Sequence, residues 1–141
     1  MEDFVTVEIA KKLKEKGFTC ELPFAMYNKL GKFYLLTTSA PYYVSSSGSK
    51  YREYYGYDDF GEYDFIAPTF NQVLKWLREK YIDIAVYPIF IYEPNLNRIY
   101  ETEIHTPQLN KSVKLGYYRT WEEAINEGIY YAITKLKLNK I

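Results

Sequence analysis

The chain has 141 residues, enough to bury a core without disulfide or metal staples. Lys plus Arg and Asp plus Glu each total 18, and this neutral balance argues against broad electrostatic attraction to DNA or an anionic membrane. A single cysteine, Cys20, excludes an internal disulfide framework and an all-cysteine zinc site, and fits a reducing compartment.

The first residues, MEDFVTVEIAKK, begin acidic and contain no long apolar run, so no secretory signal is expected. No stretch approaches the roughly 20 apolar residues of a membrane span. The expected location is cytoplasmic, with no membrane partner. Length and composition together fit one domain over residues 1–141.

A first helix is expected from about Thr6 to Lys16. Val5, Ile9, Ala10 and Leu13 mark its apolar side, and lysines occupy much of the remainder. Gly17 is placed to end it in the left-handed conformation, with Phe18 as the apolar stop contact. Two strand candidates follow, Leu22 to Tyr27 and Lys32 to Thr38. The turn between them, Asn28 to Gly31, puts a glycine where positive φ is wanted. Cys20 precedes this hairpin and reads as a small buried hydrophobe, since no base lies beside it in sequence.

From Ser39 to Asp64 the periodicity dissolves. This stretch holds seven of the 17 tyrosines, interleaved with serine and glycine, and forms a Tyr-rich loop insertion at about 40–64. Rigid amphipathic Tyr with adaptable Ser and Gly is a contact-loop composition. The competing reading is an irregular insertion whose tyrosines fold back on the domain. Asp58, Asp59, Glu62 and Asp64 lack the spacing of a calcium loop and read as solvated.

The clearest helix is central, Pro68 to Tyr81. Thr69 and Gln72 form a capping box. Phe70, Val73, Leu74, Leu77 and Tyr81 supply the apolar stripe at helical spacing. Trp76 falls about 120° from the centre of that stripe, which suits either a rim contact with another element or a place on an exposed patch. Ile82 to Tyr92 then reads as a strand, and Pro88 within it predicts an edge position or a bulge. Glu93 to Asn97 turns the chain, Arg98 to His105 returns as the partner strand, and Ser112 to Tyr118 is a further short strand. Alternate acids at Glu101 and Glu103 mark a wet face. Thr120 and Glu123 suggest a second capping box. The helix after it has Trp121, Ala124, Ile125, Gly128, Ile129, Ala132 and Leu136 on one side. Its small residues at every fourth position allow another element to come close, while Tyr130 points away.

Three segments carry a resemblance: VTVEIAKKLKEKGF at Val5 to Phe18, PTFNQVLKWLREK at Pro68 to Lys80, and TWEEAI at Thr120 to Ile125. With these the chain resembles small uncharacterised proteins of Bacteroidetes genomes, many of them associated with prophages or mobile elements. The segments are helix caps and core stripes. The resemblance therefore implies a shared fold and a phage-related context, with no activity and no site residues.

The expected fold is α+β, with three helices packed mainly on one face of a four- to five-stranded antiparallel sheet. His105 is the only histidine, and nucleotide-binding and nucleophile motifs are absent. The chain is thus expected to be non-enzymatic and without cofactor or metal. The leading expectation is a protein-binding accessory module, contacting a protein partner or a second copy of itself. Its anchors would be Tyr51, Tyr54, Tyr55 and Tyr57, with Trp76 as a neighbour. The alternative is a single-stranded nucleic-acid binder that stacks bases on tyrosine and takes phosphates on lysine. An enzyme with an unmarked carboxylate site ranks third.

Overall fold

The structure is a computed structural model that describes residues 4–20, 25–28, 30–35 and 65–138. In chain order these residues form α1 (Val7–Glu15), β1 (Ala25–Tyr27), β2 (Phe33–Leu35) and β3 (Phe65–Ile66). Then come α2 (Phe70–Arg78), β4 (Asp83–Ile91), β5 (Asn97–His105), β6 (Val113–Tyr118) and α3 (Trp121–Lys135). The class is α+β, as the mixed periods predict.

The strands do not form the single sheet of four to five strands expected. They form two antiparallel sheets, in the orders β2-β1-β3 and β4-β5-β6. The split has a local cause. β3 pairs with β1 over two residues and then meets Ala67 and Pro68. Proline cannot donate to a ladder, so the strand stops there and the chain turns into α2. The helices are also not gathered on one face. α3 lies across β4, β5 and β6, α1 packs on α3 and β3, and α2 packs on α3 and β4. One buried cluster joins all of them, with Leu13, Ala25, Leu77, Ile104 and Ile129 among its members.

Helix ends follow the expected chemistry closely. Thr6 caps α1, its hydroxyl accepting from the Ile9 N–H at 3.4 Å. At the other end Gly17 has φ +82°. Phe18 N–H donates to the Leu13 carbonyl and Gly17 N–H to that of Lys14, the paired bonds of a Schellman ending. Both halves of the capping box of α2 are present: Gln72 N–H to the Thr69 hydroxyl at 3.1 Å, and Thr69 N–H to the Gln72 side-chain oxygen at 3.0 Å. At α3 only the first half forms, with Glu123 N–H donating to the Thr120 hydroxyl at 3.0 Å.

α2 ends at Arg78, short of Tyr81. Ile82 N–H donates to the Leu77 carbonyl and Tyr81 N–H to that of Arg78, the same ending as at Gly17. Here the left-handed residue is Tyr81, with φ 61°. Tyr81 is therefore not the last member of the apolar stripe; it is 55% exposed. A non-glycine residue in this region costs about 1–2 kcal/mol. The gain is direction: Ile82, fully buried, is turned inward at the start of β4.

The β1–β2 turn also forms as predicted. Gly31 has φ +84°, and the Asn28 side-chain oxygen accepts from Leu30 N–H at 2.9 Å and Lys32 N–H at 3.0 Å. Among the described strands, β4 lies at an edge of the larger sheet, one of the two places Pro88 allows. Its ladder with β5 runs without a break through the pair Pro88–Tyr100. A residue without an N–H fits there only where its nitrogen faces away from β5, so the missing donor falls on the open edge. β6 carries a bulge that its sequence did not announce. Thr102 is opposite Gly116 and Glu103 opposite Lys114, which leaves Leu115 extra. Gly116 has φ +133° there, a conformation that side-chain-bearing residues rarely adopt.

The small-residue line of α3 allows the close approach foreseen for it. A methyl group placed on Gly128 would lie 2.7 Å from Ile84 Cγ2 and 2.9 Å from Thr102 Cγ2. Both obstacles sit on stiff β-branched side chains and have nowhere to swing. Overpacking of this kind costs about 1–3 kcal/mol, while alanine improves helix propensity by ~1 kcal/mol. Gly128→Ala is therefore expected to lower stability by up to about 2 kcal/mol, measured by urea denaturation. An unchanged or raised midpoint would show that the contact yields easily.

Tyr27 ties the first sheet to the N-terminal segment. Its hydroxyl donates to the Val5 carbonyl at 2.7 Å, and burial raises its pKa above the usual value. The folded state thus favours the neutral phenol, and stability conferred by Tyr27 is present below the unfolded pKa near 10.0. It is lost as pH rises from there through the raised folded value. Tyr27→Phe should cost about 1 kcal/mol at neutral pH. Its deficit against the parent should then shrink in melts recorded above pH 10. A constant deficit across that range would contradict the assignment.

Candidate functional surface

The register of the β4–β5–β6 sheet fixes which side chains share a face. On the side toward α3 lie Ile84, Val86, Thr102 and Ile104, in the pairs Ile84–Ile104 and Val86–Thr102. Thr102 and Ile104 are fully buried, and Ile84 and Val86 are packed against the core. The Thr102 hydroxyl donates to the Ala124 carbonyl at 2.7 Å, so α3 sits over this half of the ladder.

The other half extends past the helix. It bears a run of exposed large apolar side chains: Tyr87, Phe90, Ile91, Tyr92 and Leu96. Tyr92 and Leu96 are 73% and 70% exposed. Phe90 shares the α3 side of the sheet with its partner Arg98, whereas Tyr87, Ile89 and Ile91 lie on the opposite face. Tyr117, 65% exposed, joins that opposite face beside Glu101, which is itself paired with Tyr87. The hairpin end is therefore apolar on both faces and at its tip.

Two ion pairs lie on the open face. Lys114 Nζ lies 3.6 Å from Glu101, and His105 Nε2 lies 3.6 Å from Glu103. Ser112 donates its hydroxyl to the same Glu103 carboxylate. Serine, histidine and glutamate thus meet, but in the wrong order for nucleophile activation. The hydroxyl addresses the acid instead of the imidazole, so histidine is not placed to take its proton.

A cleft of about 200 Å³ is lined by Ala10, Lys14, Phe18, Met26, Phe65 and Ile66. Its walls are apolar, and the Lys14 amine stands 5.9 Å from the centre of the Phe65 ring. It falls below the roughly 300–1,000 Å³ typical of small-molecule sites. Cys20 is half-buried, and burial pushes its thiol pKa up, which favours the unreactive protonated form.

Of the anchors expected from sequence, Tyr51, Tyr54, Tyr55 and Tyr57 lie outside the described residues, as does the whole loop insertion at about 40–64. Trp76 is described, and it is buried at 9% exposure. Phe18 makes an edge contact with its ring at 5.4 Å between centroids, and the Lys80 amine lies 4.6 Å from its centroid. Trp76 is thus the rim contact its position off the stripe suggested, held between the ends of two helices, and not a presented anchor. The hairpin surface was not singled out from sequence. Its signal was present: IDIAVYPIFIY is apolar at both odd and even positions, and Pro88 limits it to an edge.

Among the described residues no helix is long and apolar enough to cross a membrane. Compared with protein-family models, with curated proteins and with solved structures, the chain finds no match.

Proposed function

We propose that the chain is a protein-binding module and that the end of the β4–β5 hairpin is its contact surface. The observation that carries this reading is the exposure of Tyr87, Phe90, Ile91, Tyr92 and Leu96 on one projecting element. Scattered exposed hydrophobes are ordinary, but a contiguous set on one hairpin is typical of an interface. Aromatic anchors of this kind dominate binding energy in protein contacts. A small accessory protein of phage or mobile-element origin, as the sequence resemblance implies, would suit this role.

The charges favour a protein over single-stranded nucleic acid. The described hairpin end carries Glu93 and Arg98, with Glu101 behind them, and so presents no basic track for phosphates. Lysines near aromatic rings lie elsewhere, Lys12 at Tyr130 and Lys80 at Trp76.

The test is capture of binding protein on the immobilised chain, read by mass spectrometry after nuclease treatment. Replacing Phe90, Tyr92 and Leu96 together with serine is expected to abolish capture while leaving the melting temperature within a few degrees. Each truncation should weaken binding by about 5–30-fold. Capture unaffected by these changes, but lost when Tyr51, Tyr54, Tyr55 and Tyr57 become serine, would move the surface to the loop. Capture that collapses with nuclease and with added salt would overturn the protein-binding reading in favour of nucleic acid.

A further inference from the structure

We propose that the partner of this surface is a second copy of the chain, joined by antiparallel two-fold pairing of β4 with β4 about Ala85. The proposal rests on the protein-binding reading of the hairpin and names its partner.

Among the described strands the larger sheet has two edges, and only one is suited to pairing. β6 is short, bulged at Leu115 and Gly116, and carries Lys114, all features that blunt an edge. β4 runs for nine residues, and from Asp83 to Tyr87 it has no proline and no lysine. Pro88 is its one interruption. Because the Pro88 nitrogen faces the open edge, the outward N–H groups belong to Ile84, Val86 and Phe90.

A two-fold antiparallel pairing matches residues symmetrically about one position. Centring on Val86 or further along makes Pro88 face a strand carbonyl with no donor to offer. Centring on Ala85 gives the longest pairing within β4, Asp83 to Tyr87, and moves Pro88 opposite Ile82, which precedes the strand and whose N–H is already held by the Leu77 carbonyl. Ile84 then exchanges hydrogen bonds with Val86 of the second copy, and Val86 with its Ile84. Ala85 faces Ala85 on the axis, where small side chains let the strands approach. Exposed Asp83 faces exposed Tyr87, whose phenol can donate to the carboxylate.

The same register accounts for two exposed regions at once. Four residues from the axis, Ile89 of one copy comes level with Tyr81 of the other. The overhanging segment Phe90 to Tyr92 then lies along the turn that ends α2, where Tyr81 is exposed. With zero net charge the two copies bring no overall repulsion to the contact.

Sedimentation velocity over a concentration series should show a species of twice the 16.8 kDa chain mass. In a Cys20→Ser background, Ala85→Cys should form a disulfide-linked dimer under mild oxidation, since facing residues in such a pair stand about 4.5–5.5 Å apart at Cα. Ile91→Cys should not, because its two copies would lie about 40 Å apart along the paired strands. Ala85→Lys, which sets two ammonium groups on the axis, should weaken dimerisation by roughly tenfold or more with an unchanged circular dichroism melt at low concentration. A monomer at every concentration, or cross-linking through Ile91→Cys in place of Ala85→Cys, overturns the proposal. A monomeric chain that still captures a foreign protein through Phe90 and Tyr92 overturns self-pairing and leaves the protein-binding reading standing.

Discussion

The fold depends on how closely α3 lies on the β4–β5 ladder at Gly128. The glycine has no side chain to hold the helix away from Ile84 and Thr102. One turn earlier, the Thr102 hydroxyl donates to the Ala124 carbonyl, which satisfies the one polar group that this contact buries on the strand. Ala124 and Ala132 continue the narrow line on either side, both fully buried. The bulge in β6 is opposite the same Thr102. A bulge sharpens the local twist of its strand, and here it does so where the helix crosses.

The N-terminal half is fastened by a different device. Val5 is fully buried, and both of its backbone groups are engaged at a distance in sequence. Its N–H donates to the Pro68 carbonyl at 3.1 Å, and its carbonyl accepts from the Tyr27 hydroxyl. Thr69, just after Pro68, bridges to Phe4 and caps α2. A short extended segment therefore links the first sheet to the start of the central helix. Pro68 supplies an acceptor and no donor, which suits a position where a strand must end and a helix begin.

What could be read in the sequence was local. Caps and endings at Gly17, Thr69 and Thr120 are written in residues three to five apart, and so are the stripes of α1, α2 and α3. The placing of Pro88 on an edge also follows from one residue's chemistry. The division into two sheets did not follow, because strand partners are chosen across the chain and no period records them. Tyr81 was misplaced for a related reason: its spacing continues the apolar stripe, yet an ending like that at Gly17 needs a left-handed residue there, and tyrosine gives no sign of adopting it. The bulge at Gly116 was hidden in a strand too short to show a break in alternation. The expected contact residues fared differently. Trp76 went to the rim contact its angle allowed, while the hairpin surface was overlooked because a strand apolar on both faces ordinarily signals burial on both faces.

That last ambiguity has a geometric resolution. α3 has 15 residues and spans about 22 Å, whereas the nine-residue strands of β4 and β5 span about 30 Å. The helix is anchored over Thr102, toward the end of the ladder that holds His105, so its length is used on that half. Among the described residues the ladder's contributions to the core cluster are Ile84, Val86 and Ile104, and none of them lies from the Pro88–Tyr100 row outward. Strands of five residues would have sufficed to carry the core contacts Ile84, Val86, Thr102 and Ile104. The additional length does nothing for the hydrophobic cluster of this chain. It carries Phe90, Ile91 and Tyr92 into solvent at a cost in exposed apolar surface, and such a cost is recovered only when another surface covers them. The mismatch between helix and hairpin is thus the feature of the fold that points outward, and it places the free edge of β4 and the apolar tip on the same projecting element.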